Sequence, residues 1–288
     1  MSKVSIATEK ERKKNILSSL NSSKKEISGN IKGKKNIIVK PDLTSAENQM
    51  LSTHPETLAA ILDFISELTD EPITIVGVVG IGDTKQAFER FGYREIISER
   101  KNVSLVDLKD EEVSGIEIYA RDLSPVEVDI PNIVLESDFI ISVAGLKTDD
   151  SVIASMGLKN LSGFLTSRPL NHNGYKAINL SLAKLAENLN LGLSILDGFY
   201  GIEGDGPSRG DSVEMRAAVT GTDFVSVDTV GAILMGINPY KIGYLNYLDK
   251  EGAGTGKIGE IDIIGADPEK IKKEFRLHSR YEEQLNWQ

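Results

Sequence analysis

The stretch Asp138-Phe139-Ile140-Ile141-Ser142-Val143-Ala144-Gly145-Leu146-Lys147-Thr148-Asp149-Asp150 carries the strongest fold signal in the chain. Phe139 to Val143 is a short, nearly unbroken apolar run, the pattern of a strand buried on both faces of a sheet. It breaks at Ala144-Gly145, and four polar residues follow before an amphipathic segment that predicts a helix from Ser151 to Gly163. The expected unit is strand, polar turn and helix. In open α/β sheets ligands bind beyond the carboxyl ends of the strands, which places Lys147 and Asp149 where chemistry is done.

The same texture recurs on both sides. Asn36 to Val39 ends in Lys40-Pro41-Asp42, Ile73 to Val79 in Gly80-Ile81-Gly82-Asp83, Leu193 to Leu196 in Asp197-Gly198, and Met215 to Thr220 in Gly221-Thr222-Asp223. Between them lie helical patterns. Leu58, Ile61, Leu62, Ile65 and Leu68 share one face behind the start signal Thr53-His54-Pro55-Glu56. Lys85 to Phe91, Tyr175 to Asn190, Val225 to Met235 and Tyr240 to Leu248 follow the same spacing. Val4 to Ala7 reads as a first strand, Glu9 to Leu20 as a charged helix, and the polar segment Asn21 to Lys35 as loop. Ile261 to Ile264 is a last strand and Pro268 to Phe275 a last helix.

From Lys101 to Ile130 the runs alternate and are interrupted by charges, which predicts half-exposed antiparallel strands. The expected class is α/β: a mostly parallel sheet with helices on both faces, plus a short edge ribbon of antiparallel strands. The expected division is an N-terminal segment (1–35), the α/β domain (36–265, with the ribbon at 100–130) and a C-terminal helix with a charged tail (266–288).

Composition narrows the function classes. The 288 residues carry 33 Lys and Arg against 43 Asp and Glu, a net charge of −10, with 40% hydrophobic residues and no Cys. The acidic balance, with no basic cluster interleaved with aromatic residues, argues against nucleic-acid binding and against an anionic membrane surface. The missing Cys removes thiolate nucleophiles and Cys-ligated zinc or iron–sulfur clusters. No apolar run approaches the length of a bilayer span, so a cytoplasmic location is expected. Gly80-Ile81-Gly82 lacks the third glycine of a dinucleotide fingerprint, and no acidic residue ends the next strand at the usual distance, which argues against NAD.

If the five strands are parallel, their polar ends share one rim. Lys40, Lys147, Lys159 and Arg209 would then hold an anionic group, with Asp42, Asn160 and Gly206 beside it. Asp149, Glu203 and Asp205 are candidate ligands for a divalent cation. His172, between two Asn residues, is the candidate general base, with Asp197 and Lys147 as the other catalytic candidates. A plainer account exists for each. Asp and Gly at strand–helix turns serve as caps and tight turns, and a His in an Asn-rich turn is often only a hydrogen-bonded loop residue.

Taken together, Lys40-Pro41-Asp42-Leu43, Leu146-Lys147-Thr148-Asp149, Gly157-Leu158-Lys159-Asn160-Leu161-Ser162-Gly163, His172, Asp197-Gly198 with Glu203-Gly204-Asp205-Gly206-Pro207, and Gly221-Thr222-Asp223 with Asp228 resemble the successive motifs of the domain of unknown function 362 family. The resemblance covers about residues 36 to 260. It implies an α/β fold whose motif residues gather at one site. Many relatives occur beside ferredoxin-like iron–sulfur modules, a feature that a chain without Cys does not share. Relatives usually have Asn in place of Asp42 and His in place of Asp149, so the resemblance implies a hard, oxygen-ligated cation if a metal binds.

Two functions are compatible with this reading. One is an enzyme acting on a small carboxylate or phosphate, a metal-assisted hydrolase, lyase or isomerase. The other is a non-catalytic ligand-binding or accessory protein serving a cofactor or electron-transfer system. Both leave a homo-oligomer open, as well as the identity of any cofactor.

Overall fold

Side chains alternate along a buried strand, and here the alternation sorts the apolar residues into two cores. Ile37, Val39, Ile141, Val143, Leu193 and Ile195 belong to one core, and Ile38, Ile140, Ala144 and Leu196 to the other. The architecture is therefore a sheet covered on both sides. The computed structural model describes residues 1–167, 170 and 174–288. Its strands are β1 (Ser2–Ala7), β2 (Ile37–Pro41), β3 (Ile73–Gly77), β4 (Val103–Asp107), β5 (Val113–Tyr119), β6 (Pro125–Pro131), β7 (Phe139–Asp149), β8 (Ile153–Ser155), β9 (Leu191–Glu203), β10 (Asp211–Gly221) and β11 (Ile261–Gly265).

The main sheet has the order β11-β1-β10-β9-β7-β2-β3-β4, with β8 paired on β7. β4, β3, β2, β7 and β9 are mutually parallel, whereas β10 runs antiparallel to both β9 and β1. The mostly parallel sheet is as expected. β5 and β6 form a separate two-stranded antiparallel sheet, the expected ribbon, but Val103 to Asp107 is a parallel strand of the main sheet.

One face carries the helices Arg12–Ser22 and Pro55–Ser66, and the other carries Tyr175–Glu187, Phe224–Leu234 and the ribbon. His54 caps the Pro55–Ser66 helix, its Nδ1 accepting from the Glu56 amide at 3.2 Å, with Pro55 in the first turn as its signal predicted. The segment Asn21 to Lys35, expected as loop, contains the helix Lys24–Ile31; burial of Ile27 and Ile31 offsets its polar composition.

Two further expectations fail because ladder partners carry strands past their polar residues, and a third because β10 runs the other way. β7 does not stop at Val143 but runs to Asp149, pairing with β9 at Gly145 and Lys147 and with β8 from Lys147 to Asp149, and β9 passes Asp197-Gly198 to Glu203 on its ladder with β10. β9 and β10 form a hairpin joined by residues 204–210, so β10 is antiparallel and Gly221-Thr222-Asp223 lies at the opposite end of the strands. There Asp223 caps the next helix, accepting from the Ser226 amide at 3.0 Å, and its Oδ2 accepts from the Thr255 amide at 2.9 Å.

The expected helix Ser151–Gly163 is instead the β7–β8 hairpin followed by two short turns of helix, Gly157–Asn160 and Leu161–Phe164. Asp149 Oδ1 accepts from the Ser151 and Val152 amides at 2.8 and 3.2 Å, and Ile153 adopts φ +73°, which reverses the chain.

A C-terminal segment holds this hairpin. Gln284 is buried; its Nε2 donates to the Asp149 carbonyl at 2.9 Å, and its Oε1 accepts from the Ile153 amide at 2.6 Å. Replacing it with an apolar residue leaves two buried backbone groups unpaired. Gln284→Leu is expected to lower unfolding free energy by about 2 to 4 kcal/mol in urea denaturation. A change below about 1 kcal/mol would show that the hairpin stands without this clamp.

Candidate functional site

From β2 the chain winds outward to β3 and β4, then crosses back to β7 on the other side of β2 and continues to β9. The winding direction reverses between β2 and β7, where an open α/β sheet leaves a crevice at the carboxyl ends of its strands. Lys40 of β2 stands opposite Ser142 of β7 at this point. Beyond them opens a cavity of about 500 Å³ whose wall includes Lys40, Asp42, Gly80, Asp149, Ser155, Lys159, Asn160, Ser162 and Gly163, with Lys109 at its margin.

Asn160 bridges the reversal. Its Nδ2 donates to the Lys40 carbonyl at 3.1 Å and to Ser142 Oγ at 3.0 Å, and its Oδ1 accepts from Lys40 Nζ at 3.1 Å. Lys40 Nζ also donates to the Pro41 carbonyl at 3.2 Å and sits 5.6 Å from the Phe164 ring centre. The side chain is 2% exposed. Among the described residues no carboxylate lies within ion-pair distance of it. Burial pulls its pKa down to about 8; Lys147 and Lys159 add to the depression and Asp42 opposes it.

Lys147 is placed differently. Its Nζ forms an ion pair with Asp42 Oδ2 at 2.5 Å and donates to Thr44 Oγ1 at 3.2 Å and to the Leu51 carbonyl at 3.1 Å. Three donors meet three acceptors, so its hydrogen-bonding capacity is spent within the protein. The pair forms a partition. Behind it lies a smaller chamber of about 50 Å³, lined by Arg12, His54, Gly145, Lys147, Asp197 and Tyr200 among others.

In that chamber Asp197 pairs with Arg12, accepts from Thr57 Oγ1 at 2.5 Å and from the Phe199 amide at 3.1 Å, and is likewise satisfied. Arg12 also stacks 4.9 Å from the Phe199 ring centre. Burial and the Arg12 charge lower the pKa of His54 below its ordinary value.

Lys159 is the loosely held cation of the large cavity. Its nearest acceptors are Ser162 Oγ at 3.4 Å and Asp149 Oδ2 at 3.9 Å. The turn that carries it is fixed from behind. Asp228 is fully buried and accepts from the Gly157 and Leu158 amides, both at 2.9 Å, and from the Tyr244 hydroxyl at 3.4 Å. Burial raises the Asp228 pKa to about 7 against the pull of those three donors. A Cβ at Gly157 would lie 2.3 Å from Ser194 Oγ and 2.9 Å from Asp228 Oδ1, so only glycine lets the turn reach its anchor.

The remaining sequence candidates are dispersed. Gly206 is buried beside Thr148, whose Oγ1 donates to the Gly204 carbonyl at 2.8 Å. Arg209 is exposed and lines neither chamber. Glu203 Oε2 accepts from the Arg276 amide at 3.0 Å and Asp205 Oδ1 from the Ser279 amide at 3.0 Å, which turns both toward the C-terminal segment. Asp149 is occupied by its own turn. Among the described residues no three His, Asp or Glu side chains form a group that could hold a metal ion. His172 lies outside the described residues.

The structure therefore brings Lys40, Asp42, Lys147, Lys159 and Asn160 together, with Asp197 one chamber away. Sequence reading missed Arg12, Thr57 and Lys109. Arg12 looks like any other charge on a Lys-rich helix, and no local signal marks it.

Comparison with known proteins bears on the family and the fold. The family model described as Domain of unknown function (DUF362) matches residues 37–233. A thylakoid-associated protein from Synechocystis sp. is 23% identical over 215 residues, covering 72% of this chain and 64% of that protein. The chain thus spans less than two thirds of that relative's length. The lactate racemase apoprotein from Thermoanaerobacterium thermosaccharolyticum superposes with a TM-score of 0.51 at 16% identity, over 75% of this chain and 53% of that one. A Thermotoga maritima protein gives 0.41 at 11% identity, over 66% and 50%. The likeness to the racemase apoprotein is one of fold. No described helix is long and apolar enough to cross a membrane.

Removing one member of a buried ion pair strands the other, which costs about 3 to 5 kcal/mol, whereas replacing both with apolar groups costs far less. Asp42→Ala is expected to destabilise the protein by about 3 kcal/mol in chemical denaturation, and Asp42→Ala with Lys147→Met by clearly less. Equal losses in the two variants would mean that the pair is not a partition in its own right.

Proposed function

The chain belongs to the DUF362 family, and we propose that it is an enzyme that binds a small carboxylate or phosphate in the large cavity, with Lys159 holding the anion and Lys40 acting on it. The observation that carries this reading is the contrast among three neighbouring lysines. Lys147 is saturated by Asp42, Thr44 and Leu51. Lys159 is underused, and Lys40 is buried without a carboxylate partner. A buried uncompensated charge is expensive, so its retention at a cavity wall favours a role in ligand chemistry.

The Ser155 side chain, also in the wall, supplies a neutral hydrogen bond for an anion. An amine with pKa about 8 is a competent proton acceptor or donor near neutral pH. Proton transfer at a carbon or oxygen next to the anionic group is the reaction class that fits, as in an isomerase or lyase. The racemase whose fold is shared is named for lactate, a small carboxylate, and this guides only the first compounds to try.

A thermal-shift panel of small carboxylates and phosphate esters tests the proposal. At least one compound is expected to raise Tm, with the rise abolished in Lys159→Met and in Lys40→Met. If nothing in the panel stabilises the protein, or if both variants respond like the native chain, the assignment fails.

The pH dependence of Lys40 has a definite sign. Its folded pKa, about 8, lies below the ordinary 10.5, so between these values the unfolded chain holds the proton that the folded chain has lost. The stability contributed by Lys40 is complete above 10.5 and is lost as pH falls through about 8, leaving a penalty of about 3 kcal/mol at pH 7. Lys40→Met removes that penalty and gives up hydrogen bonds contributing about 1 kcal/mol. Its Tm is expected to exceed the native value at pH 7, with the advantage shrinking at pH 10. A Tm well below native at pH 7 would show that Lys40 is a stabilising residue.

A further inference from the structure

Resting on the reading of the large cavity just given, we propose that Lys40 is a nucleophile that forms an imine with a carbonyl compound carrying an anionic group, such as a 2-oxo or 3-oxo acid, whose carboxylate Lys159 holds. Two ammonium-bearing side chains of unlike setting serve the two ends of one small molecule. The loosely held one suits the permanent anion, and the dry one suits the carbonyl carbon.

The geometry around Lys40 supports a covalent role. Among the described residues its Nζ is held by neutral acceptors alone, the Pro41 carbonyl and Asn160 Oδ1. Loss of a proton therefore strands no carboxylate beside it. The charged groups that act on it are Asp42, Lys147 and Lys159. Of these, Asp42 is committed to Lys147 at 2.5 Å. A free amine is the form that attacks a carbonyl, and desolvation beside other cations is the established way to keep a lysine in that form.

Lys40, though buried, belongs to the cavity wall. Gly163 belongs to the cavity wall, and a Cβ there would lie 2.9 Å from Nζ and 3.0 Å from Cε. Without that atom the turn closes against Lys40, with the Phe164 ring 5.6 Å from the nitrogen on one side and no side chain at position 163. Lys147, the other buried lysine, has no donor to spare, which makes Lys40 the reactive one.

The step balances as written. The Nζ lone pair adds to the carbonyl carbon, and the C=O π pair moves to oxygen, which takes a proton to give a carbinolamine. The C–O bond then breaks, and the oxygen leaves as water with both amine hydrogens, so the products are one C=N bond and one water. Protonated, that imine draws electrons from the adjacent carbon. This labilises a C–H or a carboxylate there.

Borohydride trapping tests the proposal on the full chain. Incubation with pyruvate and sodium borohydride near pH 8 is expected to give a single reduced pyruvate adduct by intact mass, mapped by peptide fragmentation to Lys40. Lys40→Met is expected to give no adduct, and Gly163→Ala to cut its yield at least tenfold while the fold, read by circular dichroism, is unchanged. Lys159→Met is expected to slow trapping severalfold at low pyruvate.

Absence of an adduct, or its mapping to Lys147 or to surface lysines, overturns the imine. If pyruvate raises Tm through Lys159 while nothing is trapped, the imine falls and the anion site stands. If the adduct forms at Lys40 but Tm and Lys159→Met show no dependence, the lysine is a nucleophile and the anion assignment falls.

Discussion

The ion pair between Asp42 and Lys147 ties the end of β2 to the extension of β7, and the geometry of the candidate site follows from that tie. β2 ends where β7 is only half complete, so the second half of β7 would project past its neighbour with no lateral support on that side. The Lys147 side chain supplies it by reaching back to Asp42, Thr44 and Leu51. With the extension fixed, Asp149 and the hairpin to β8 have a set position, and the turns carrying Lys159, Asn160 and Gly163 close over the crevice. Because a salt bridge buried this far is strong only when every donor is met, its saturation is what allows it to act as a wall.

Three lysines of the same chemical type thus reach one region with three different states. What separates them is the partner each finds, not the residue itself. Lys147 meets a carboxylate and two oxygens, Lys159 meets weak acceptors at 3.4 and 3.9 Å, and Lys40 meets only neutral oxygens in a dry setting. Burial lowers the Lys40 pKa most. The chain as a whole is acidic, yet in the cavity wall Lys40, Lys109 and Lys159 match Asp42, Asp149 and Asp150, so the crevice is locally balanced in charge.

The fold was legible where local pattern and tertiary packing agree. Phe139 to Val143, Ile73 to Gly77 and the Pro55–Ser66 helix are decided by apolar spacing and by the His54-Pro55 start. It was illegible where a distant partner decides. Gly145, Thr148 and Gly198 look like turn residues, but their ladder partners Asp197 of β9, Ala154 of β8 and Ala217 of β10 keep them extended. The direction of β10 depends on the length of its connection to β9, and that reversed the expected position of Gly221 to Asp223. In the site, Lys40, Asp42, Lys147, Lys159 and Asn160 could be named because strand ends are where α/β sheets bind ligands. Which of them is saturated could not, since Thr44 and Leu51 carry no mark of their contacts with Lys147. Arg12, near the start of the chain, becomes visible only as a neighbour of Asp197.

Asp228 extends this argument to the interior. It is buried in the helix Phe224–Leu234, outside the cavity wall, yet it accepts the two amides that begin the turn bearing Lys159 and Asn160. A buried acid whose pKa stands near 7 is a poor choice for stability alone, since a neutral hydrogen-bond acceptor would avoid the desolvation that raises it. What the carboxylate offers is two equivalent oxygens at a fixed angle, one for each of two consecutive amides, with the Tyr244 hydroxyl steadying the second. An Asn or Gln would present one acceptor and turn its amide nitrogen against the other backbone N–H. The site therefore rests on two acidic anchors of opposite character. Asp42 neutralises a lysine at the partition, and Asp228 is spent on backbone amides, so that neither is free to pair with Lys40.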